Sequence, residues 1–425
     1  MSSTLENEIH TIGRRAREAS RTLARLSGGQ KNKILIAMAD ELVVHTPAIL
    51  SANAEDVAAA EKNGLAKAAI DRLRLTADRV AAMADGLRQV AALADPVGEI
   101  LRDWTRPNGI RIQKIRTPIG VIGIIYESRP NVTADAAVLC LKTGNAVILR
   151  GGSEALASNL AIVKALQAGG FEAGLPDFSV QLIPTKDREA VKIMAAMDQF
   201  MDVIIPRGGH SLIEAVVSAA RMPVIKHYDG ICHVYADREA DPRMALDIAI
   251  NAKCQRPGVC NALETLLVHR DIAEGFFLLA APVLQAHNVE LVADPAAFGI
   301  LSALGYKPLR EADDSTWRTE WLDLILSVRV VDDLGAAIEH IETFGSHHSD
   351  AIITANPATA ETFLAAVDSA TVYWNASTRF TDGGEFGFGA EIGISTDKLH
   401  ARGPMGLEEL TTYKYLIRGE GQVRA

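Results

Sequence analysis

The sequence has few cysteines, and none of them forms a pair with a recognisable spacing. Its 425 residues contain four cysteines and no CxxC motif. Zinc sites and disulfide frameworks depend on such spacings, so we predict neither a bound metal nor a disulfide-stabilised fold. Cys140 and Cys232 lie in apolar runs and are predicted to be buried core thiols. Four cysteines without a framework indicate a reducing compartment, and we predict a cytoplasmic protein.

Long apolar runs and an excess of basic residues are missing as well. No apolar run approaches the roughly 18–20 residues that a membrane-spanning helix needs. The 43 lysines and arginines are outnumbered by 53 aspartates and glutamates, which gives a formal net charge of −10. This charge argues against nucleic acid or an anionic membrane as the main partner. A GxGxxG motif is also absent, so the usual dinucleotide-binding fingerprint is not available.

What the sequence does contain is an alternation of strand-like and helical segments. Residues 1–95 have a helical pattern, and Asn108-Gly109 then predicts a β-hairpin at about 103–117. From Pro118 onward, helices separate apolar strands, which is typical of a doubly wound α/β fold with parallel sheets. We place a domain boundary at about 230. The predicted strands of the alternating region are 119–126, 146–149, 179–183, 203–205, 224–227, 232–235, 265–268, 325–331 and 351–354.

One cysteine lies where an enzyme usually presents a nucleophile. Cys260 ends a loop that contains proline and glycine, between a helical segment and an apolar strand. Rigid elements on both sides of such a loop hold a reactive group in place. Two alternatives stay open from the pattern alone. Cys260 could be a small loop residue without a role, and Cys254 beside Lys253 and Arg256 could be the reactive thiol instead.

Two glycine pairs follow predicted strands and are candidates for a dinucleotide site, with a plain tight turn as the alternative for each. Glycines let backbone amides approach an anion, and a helix N-terminus favours negative charge. An acidic residue at such a strand end would hold a free ribose 2′-hydroxyl, whereas Arg150 and Ser153 suit a 2′-phosphate. The pairs and these flanking residues are Arg150, Gly151, Gly152, Ser153, Gly208 and Gly209.

Seven segments resemble the aldehyde dehydrogenase superfamily. Three carry the resemblance to the superfamily as a whole: 126–133, 144–152 and 255–261. Four more resemble the branch of it that reduces an acyl phosphate of glutamate: 206–209, 226–230, 375–384 and 398–406. The resemblance covers essentially the whole chain, and we expect a stand-alone enzyme rather than a fusion to a kinase.

The resemblance implies an aldehyde-dehydrogenase-like α/β fold in three parts. A Rossmann-like NADPH-binding domain would consist of residues 1–102 and 118–230. An α/β catalytic domain would consist of 231–385. The hairpin at 103–117 and the C-terminal tail at 386–425 would form a small β element for oligomerisation, so we expect a homo-oligomer, either a dimer or a tetramer.

The resemblance also implies a reaction, the NADPH-dependent reduction of L-glutamyl 5-phosphate to L-glutamate 5-semialdehyde with release of phosphate. This is the second step of proline biosynthesis from glutamate. Cys260 would form a thioester, and Asn131 would donate its side-chain amide to the developing oxyanion beside the backbone N–H of Cys260. Asn131 as a turn-forming residue after proline is the alternative.

Further roles follow from the same resemblance. Glu320 lies near the place where relatives bind the nicotinamide ribose, although an exposed charge at a strand start is an equal account. Four loop arginines are candidates to clamp the phosphate or the α-carboxylate: Arg129, Arg207, Arg256 and Arg379. Glutamate 5-kinase is a candidate protein partner, because acyl phosphates hydrolyse readily.

Two other functions compete with this one. A non-phosphorylating aldehyde dehydrogenase would share the fold and the nucleophile but hydrolyse its thioester. Hydrolytic relatives place a water-activating glutamate in the turn where this chain has His227, which favours phosphate as the acceptor, although Asp229 is close enough in sequence to replace it. A catalytically silent scaffold is the second competitor, and the presence of both Cys260 and Asn131 argues against it.

Overall fold

The computed structural model describes residues 2–424, which divide into two compact units. Unit 1 consists of the chain up to Lys226, the segment Gly387–Gly393 and the stretch from Met405 onward. Unit 2 consists of His227–Phe386 and Ile394–Pro404. The main division therefore falls between residues 226 and 227, and the sequence places it at about 230.

Helices and strands alternate over most of the described chain. The α-helices are α1 Ser2–Leu23, α2 Gly28–Val44, α3 Thr46–Lys62, α4 Lys67–Leu73, α5 Ala77–Ala92, α6 Asn131–Lys142, α7 Leu156–Glu172, α8 Glu189–Ala195, α9 His210–Ala219, α10 Pro242–Cys254, α11 Arg270–Ala286, α12 Pro295–Ala303, α13 Leu334–Phe344 and α14 Pro357–Ala366. The strands are β1 Ile100–Thr105, β2 Arg111–Pro118, β3 Val121–Tyr126, β4 Ala146–Arg150, β5 Val180–Leu182, β6 Val203–Arg207, β7 Cys232–Ala236, β8 Leu263–His269, β9 Glu290–Ala293, β10 Leu309–Glu311, β11 Ile325–Val331, β12 Ser349–Ile353, β13 Thr371–Trp374, β14 Ile394–Ser395, β15 Gly403–Pro404 and β16 Thr411–Arg418.

The first five helices confirm the helical pattern of residues 1–95. Side-chain caps explain two of the helix starts. Ser27 forms a reciprocal capping box with Gln30 at the start of α2, and the Thr76 hydroxyl accepts from the Arg79 N–H at the start of α5. Among the described residues no single helix is long and apolar enough to cross a membrane. Helices α2 and α3 are long and apolar enough only when taken together, and the chain bends by 66° between them.

Unit 1 contains a four-stranded parallel sheet with the order β5-β4-β3-β6. Its middle strand β3 is buried along its whole length, as its continuous apolar run predicts. The chain moves from β3 to β4 and β5 on one side and then returns to place β6 on the other side. The strand order therefore reverses at β3, and ligands bind at such a point beyond the carboxyl ends of the strands.

The prediction of a strand at 224–227 is wrong. This segment makes a single parallel bridge to the sheet edge, between Ile204 and Val224. Pro223 precedes it and has no N–H to donate, and the chain leaves unit 1 after Lys226. A longer ladder therefore does not form.

Unit 2 contains a seven-stranded sheet with the order β10-β9-β11-β8-β7-β12-β13, in which every neighbouring pair is parallel. The side chains of β8 are buried from end to end. Helix α11 packs its apolar face, including the buried Phe276 and Phe277, into the larger core of this unit. Strands β9, β10 and β13 are not predicted from the sequence, because three or four residues carry too little periodicity.

A separate three-stranded antiparallel sheet joins the predicted hairpin to the C-terminal strand. Its order is β1-β2-β16, and β16 pairs with β2 along its full length. Trp104 packs edge to face against Tyr415, with the ring centroids 6.3 Å apart. Tyr413, Tyr415 and Ile417 alternate along β16 and are all exposed.

Candidate active site

The predicted nucleophile Cys260 lies in the loop that joins α10 to β8. This loop reaches the sheet of unit 2 at its amino-terminal edge, where β7 also begins. Ligand sites in open α/β sheets usually lie at the carboxyl edge, so Cys260 departs from that rule. Cys260 is a partly exposed residue, as a nucleophile must be in order to meet a substrate, whereas Cys232 is fully buried.

The backbone of Cys260 is held against the start of β7. A Cβ atom added at Gly230 would lie 2.0 Å from the carbonyl oxygen of Cys260, so only glycine permits this approach. The Cys232 thiol donates to the same carbonyl oxygen at 3.2 Å. The Gly230 N–H donates to a carboxylate oxygen of Glu320 at 2.9 Å, which places Glu320 next to this contact. Burial raises the pKa of Glu320.

Arg379 fastens the Cys260 loop at both of its ends. Its Nε donates to the side-chain oxygen of Gln255 at 2.9 Å, and its Nη1 donates to that of Asn261. Burial lowers the pKa of Arg379, and the positive charge of Arg256 lowers it further. Two arginines on and next to the Cys260 loop make its surroundings positively charged, which favours an anion.

A buried ion pair spans the base of the same loop. Lys253 Nζ lies 2.8 Å from a carboxylate oxygen of Glu264, and both side chains are completely buried. Burial lowers the pKa of Lys253 and raises that of Glu264 to about 7, against the opposing attraction between the two charges. The other carboxylate oxygen of Glu264 accepts from the Leu322 N–H at 3.3 Å.

Two histidines lie on the other side of β7. The rings of His227 and His348 are 5.7 Å apart and perpendicular within about 20°. His227 Nδ1 is 2.9 Å from the carbonyl oxygen of Ile394, and His348 Nδ1 is 2.8 Å from the Ser349 hydroxyl. His348 Nδ1 also lies 3.7 Å from the thiol of Cys232. His227 and His348 therefore lie at this end of the strand, in addition to the carboxylate of Glu320.

In unit 1, Asn131 is the first residue of α6 and lies beyond the carboxyl end of β3. Its side-chain N–H donates to Asp135 at 2.9 Å, one helical turn further on. Burial raises the pKa of Asp135 to about 6. The contact fixes the orientation of the Asn131 amide and leaves its second N–H available to another acceptor.

The first glycine pair and its neighbours lie beyond the carboxyl end of β4. Arg150 is 6% exposed, and its Nε has no hydrogen-bond partner within residues 2–424. Burial lowers the pKa of Arg150. A Cβ atom at Gly151 would lie 2.0 Å from the side-chain amide nitrogen of the buried Asn159, so any larger residue at this position requires that side chain to move. Ser153 is partly exposed beside them.

An acidic residue does follow β4, although the sequence reasoning considered only its neighbours. The carboxylate of Glu154 accepts from both the N–H and the hydroxyl of Ser128 at 2.7 Å. A Cβ atom at Gly152 would lie 2.1 Å from the same oxygen of Glu154. Burial raises the pKa of Glu154, but these hydrogen bonds and Arg150 outweigh that effect and leave the pKa below its ordinary value. The charge of Glu154 is thus already satisfied within the protein.

The second glycine pair lies between β6 and α9, at the place where the strand order reverses. The Gly209 N–H donates to a carboxylate oxygen of Glu127 at 3.0 Å. A Cβ atom at Gly209 would have no heavy atom within 4 Å, so open space surrounds this position. The start of α9 therefore already binds one carboxylate, that of Glu127, and is open on the side where a Gly209 side chain would point.

Two of the predicted arginines also lie at this edge of unit 1. Arg129 is exposed in the loop after β3. The guanidinium of Arg207 covers the backbone of Gly393, where an added Cβ atom would lie 2.3 Å from Nη1. Within unit 1 the structure gathers the two glycine pairs, Arg150, Ser153, Asn131, Arg129 and Arg207 at the carboxyl ends of three neighbouring strands.

Within unit 2 the structure gathers Cys260, Arg256, Arg379 and Glu320 around one loop. The residues that sequence reasoning missed are those that support these side chains: Asp135, Glu154, Lys253, Glu264 and His348. Cys232 is fully buried, as the sequence predicts. Glu264 is a charged residue inside the apolar run of β8, and this departure from the apolar pattern was a signal that could have identified it. No group of three or more His, Cys, Asp or Glu suited to a metal ion is found in residues 2–424.

Comparison with known proteins agrees with this architecture. The sequence model of the aldehyde dehydrogenase family matches residues 1–297. The chain belongs to the aldehyde dehydrogenase family. This membership confirms the resemblance seen in the sequence and the predicted aldehyde-dehydrogenase-like α/β fold, and it makes the protein an oxidoreductase.

Members of the aldehyde dehydrogenase family resemble the chain over nearly its full length. A relative from Moorella thermoacetica, named gamma-glutamyl phosphate reductase, is 56% identical over 418 residues, which cover 98% of this chain and 99% of the relative. The crystal structure of gamma-glutamyl phosphate reductase from Thermotoga maritima is 44% identical with a TM-score of 0.96, covering 98% of this chain and 100% of that one. An acetylating aldehyde dehydrogenase from Geobacillus thermoglucosidasius shares the fold, with 17% identity, a TM-score of 0.70 and coverage of 99% and 98%.

Proposed function

We propose that this protein reduces L-glutamyl 5-phosphate to L-glutamate 5-semialdehyde with NADPH and releases phosphate, as a step of proline biosynthesis. The observation that carries the proposal is the 56% identity, over nearly the full length of both chains, to a relative named gamma-glutamyl phosphate reductase. The reactive loop and the glycine pairs supply the chemistry that this reaction needs.

Cys260 is the nucleophile in this proposal. Its thiolate attacks the γ-carbonyl carbon, a C–S bond forms, and the bond from that carbon to the phosphate oxygen breaks. When bound, NADPH supplies the hydride that reduces the thioester. The resulting hemithioacetal collapses to the aldehyde and returns the electron pair to the sulfur of Cys260. The partly exposed loop position supports this role.

Asn131 stabilises the oxyanion that forms on the carbonyl oxygen. One N–H of its amide is engaged by Asp135, which sets the direction of the other N–H. A preorganised donor of this kind costs no reorganisation during the reaction. The backbone N–H of Cys260 is the second donor in the proposal.

Arg256 and Arg379 bind the phosphate group of the substrate. Their mutual repulsion beside the Cys260 loop decreases when a dianion lies near both, and bidentate guanidinium contacts suit phosphate oxygens. Arg129 and Arg207 remain our candidates for the α-carboxylate. Both lie at the ligand-binding edge of unit 1.

The residues at the carboxyl edge of unit 1 fit a dinucleotide with a 2′-phosphate. The buried Arg150 has an unpartnered Nε, and the chain between β6 and α9 is open at Gly209, where an added Cβ atom would have no heavy atom within 4 Å. Gly151, Gly152 and Ser153 present backbone and a hydroxyl at the strand end. The carboxylate of Glu154 accepts from Ser128, and the positive charge of Arg150 opposes its negative charge.

Glu320 has two possible uses in this scheme. One oxygen accepts from Gly230, and the other is the candidate ligand for a ribose hydroxyl of the nicotinamide half.

We also propose that the exposed apolar face of β16 contributes to a homo-oligomer, a dimer or a tetramer. Association with glutamate 5-kinase and a cytoplasmic location stay predictions.

The assay that tests the proposal follows absorbance of the reduced nicotinamide in the oxidative direction. Glutamate semialdehyde, phosphate and NADP are combined, and each is then omitted in turn. The proposal requires that every omission stops the reaction. Turnover without semialdehyde, or equal turnover of unrelated aldehydes, would contradict the substrate, and no turnover under any condition would favour the silent scaffold.

A further inference from the structure

The buried ion pair beside the Cys260 loop has no part in the reaction scheme above. Lys253 is the penultimate residue of α10, and Glu264 is the second residue of β8. Their contact therefore joins the helix that enters the loop to the strand that leaves it. Both side chains are completely buried, and their charged atoms are 2.8 Å apart.

Stability alone does not explain such a pair. Removing two charges from water costs several kcal/mol per ion, and apolar residues of similar volume are often neutral or stabilising replacements. The ammonium group has three N–H donors, yet within the described residues Glu264 is its one hydrogen-bond acceptor. A pair kept at this cost, at the base of a reactive loop, calls for another function.

The contacts of Glu264 lead back to the nucleophile through the backbone. Its second oxygen accepts from the N–H of Leu322, a non-glycine residue held at φ 53°. Two residues earlier, Glu320 accepts from the N–H of Gly230. Gly230 in turn lies against the carbonyl of Cys260.

A separate contact holds the exposed part of the loop. Arg379 bridges Gln255 and Asn261, on the two sides of Cys260. The loop is therefore closed twice, once at its exposed rim by Arg379 and once at its buried base by the ion pair. Two closures at different depths restrict both the translation and the tilt of the segment that carries the thiol.

We propose that Lys253 and Glu264 are positioning residues, which fix the Cys260 loop in the geometry that the reaction requires. The proposal rests on the assignment of Cys260 as the nucleophile. The pair acts by holding the ends of the loop and, through Leu322 and Glu320, the backbone that packs on Cys260. It does not contact the substrate.

The test replaces both charges together by apolar residues of similar volume, Lys253→Met with Glu264→Leu, in a Cys254→Ala background. Melting temperature, kcat, KM for the semialdehyde and the rate of alkylation by iodoacetamide are measured. We expect a melting temperature close to that of the parent, an unchanged KM, and a fall in kcat between about tenfold and 100-fold, as small displacements of reacting groups produce. Alkylation should slow as well.

A matched control removes an exposed ion pair of the same unit. Arg270 and Asp332 are 2.9 Å apart on the surface, and Arg270→Ala with Asp332→Ala should leave all four measurements unchanged. A double apolar variant that folds like the parent and keeps its kcat and alkylation rate within about twofold would overturn the proposal.

Two further variants test the positioning role of the ion pair if the double variant does not fold. The exchange Lys253→Glu with Glu264→Lys rebuilds the pair and should recover kcat relative to either single change. Glu264→Gln is nearly isosteric and should slow alkylation without changing KM. An unchanged alkylation rate in Glu264→Gln would overturn the proposal.

The alkylation rate needs neither substrate nor coenzyme. If the parent protein fails to oxidise the semialdehyde, the proposed reaction is wrong, while alkylation still tests the positioning role. A Cys260→Ser variant in the same background provides the rate of the remaining thiols, which is subtracted. The two failures are therefore distinguishable.

Discussion

The parallel sheets of the two units present their candidate sites by different means. In unit 1 the strand ends offer glycines, backbone amides and one buried arginine at the carboxyl edge. In unit 2 the reactive loop lies at the amino edge, and charged side chains fasten it from both ends. A diphosphate can be held by several equivalent amides, whereas a nucleophile must be held in one place. Single substitutions should therefore have larger effects in unit 2.

The largest effect is expected at the nucleophile itself. Cys260→Ala should lower turnover by on the order of 10⁴-fold or more while coenzyme binding and folding persist. Semialdehyde oxidation and coenzyme titration measure the two properties. A variant that keeps a substantial fraction of the activity would show that Cys254 or another group is the nucleophile.

The second effect tests how closely the backbone of unit 2 is packed. Gly230→Ala would place a Cβ atom 2.0 Å from the Cys260 carbonyl oxygen, so the loop must move. We expect kcat to fall by about 100-fold, with a lower melting temperature.

Gly275→Ala is the control for that change, because it lies on the exposed face of α11 with nothing within 4 Å. Since alanine is the better helix former, the control should gain roughly 0.5–1 kcal/mol of stability at unchanged kcat. Equal kcat values for the two alanine variants would refute the idea that the Gly230 contact positions Cys260.

A smaller effect is expected at the coenzyme edge of unit 1. The parent enzyme should prefer NADP to NAD, because Arg150 and Ser153 suit a 2′-phosphate. Ser153→Glu introduces a like charge and should shift the ratio of the two kcat/KM values toward NAD by about tenfold. The comparison is made at one ionic strength. Equal use of both coenzymes by the parent would remove the basis of this assignment.

The smallest effect concerns Asp135, the one side-chain support identified beneath Asn131. Its pKa is raised from 3.8 to about 6 in the folded protein, so the folded state binds this proton more tightly than the unfolded state. The resulting stability is fully present below pH 3.8 and is lost as the pH rises through about 6.

Asp135→Asn keeps an acceptor for Asn131 but cannot titrate. The free energy of unfolding of the parent should therefore fall relative to that of the variant, by about 1–3 kcal/mol, as the pH rises across this window. Denaturant unfolding at several pH values measures the difference. A constant difference would mean that Asp135 does not titrate as described.

The fold could be predicted, and candidate site residues could be named, because their signals are local. The buried strand β3 and the hairpin before it are visible as an apolar run and an Asn-Gly turn. Cys260 is marked by the proline and glycine of its own loop. The strand predicted at 224–227 is wrong because its apolar residues do not show that Pro223 and the exit of the chain end the ladder.

The supporting residues are less visible, because their partners are distant or are set by tertiary packing. Lys253 and Glu264 are 11 residues apart and meet only when the loop folds back. Glu154 and Ser128 are 26 residues apart and come from the ends of two different strands. Residue type alone does not show that the carboxylate of Glu154 is already bound.

The central claim is that a thioester on Cys260 exchanges with phosphate and not with water. The turn that would carry a water-activating glutamate has His227, whose ring lies beside His348. The direct test is oxidation of the semialdehyde in phosphate-free buffer, followed by addition of phosphate or of arsenate as a second acceptor. The account predicts no sustained NADPH formation until one of these anions is added. Sustained NADPH formation without either anion would identify water as the acceptor and contradict the proposed reaction.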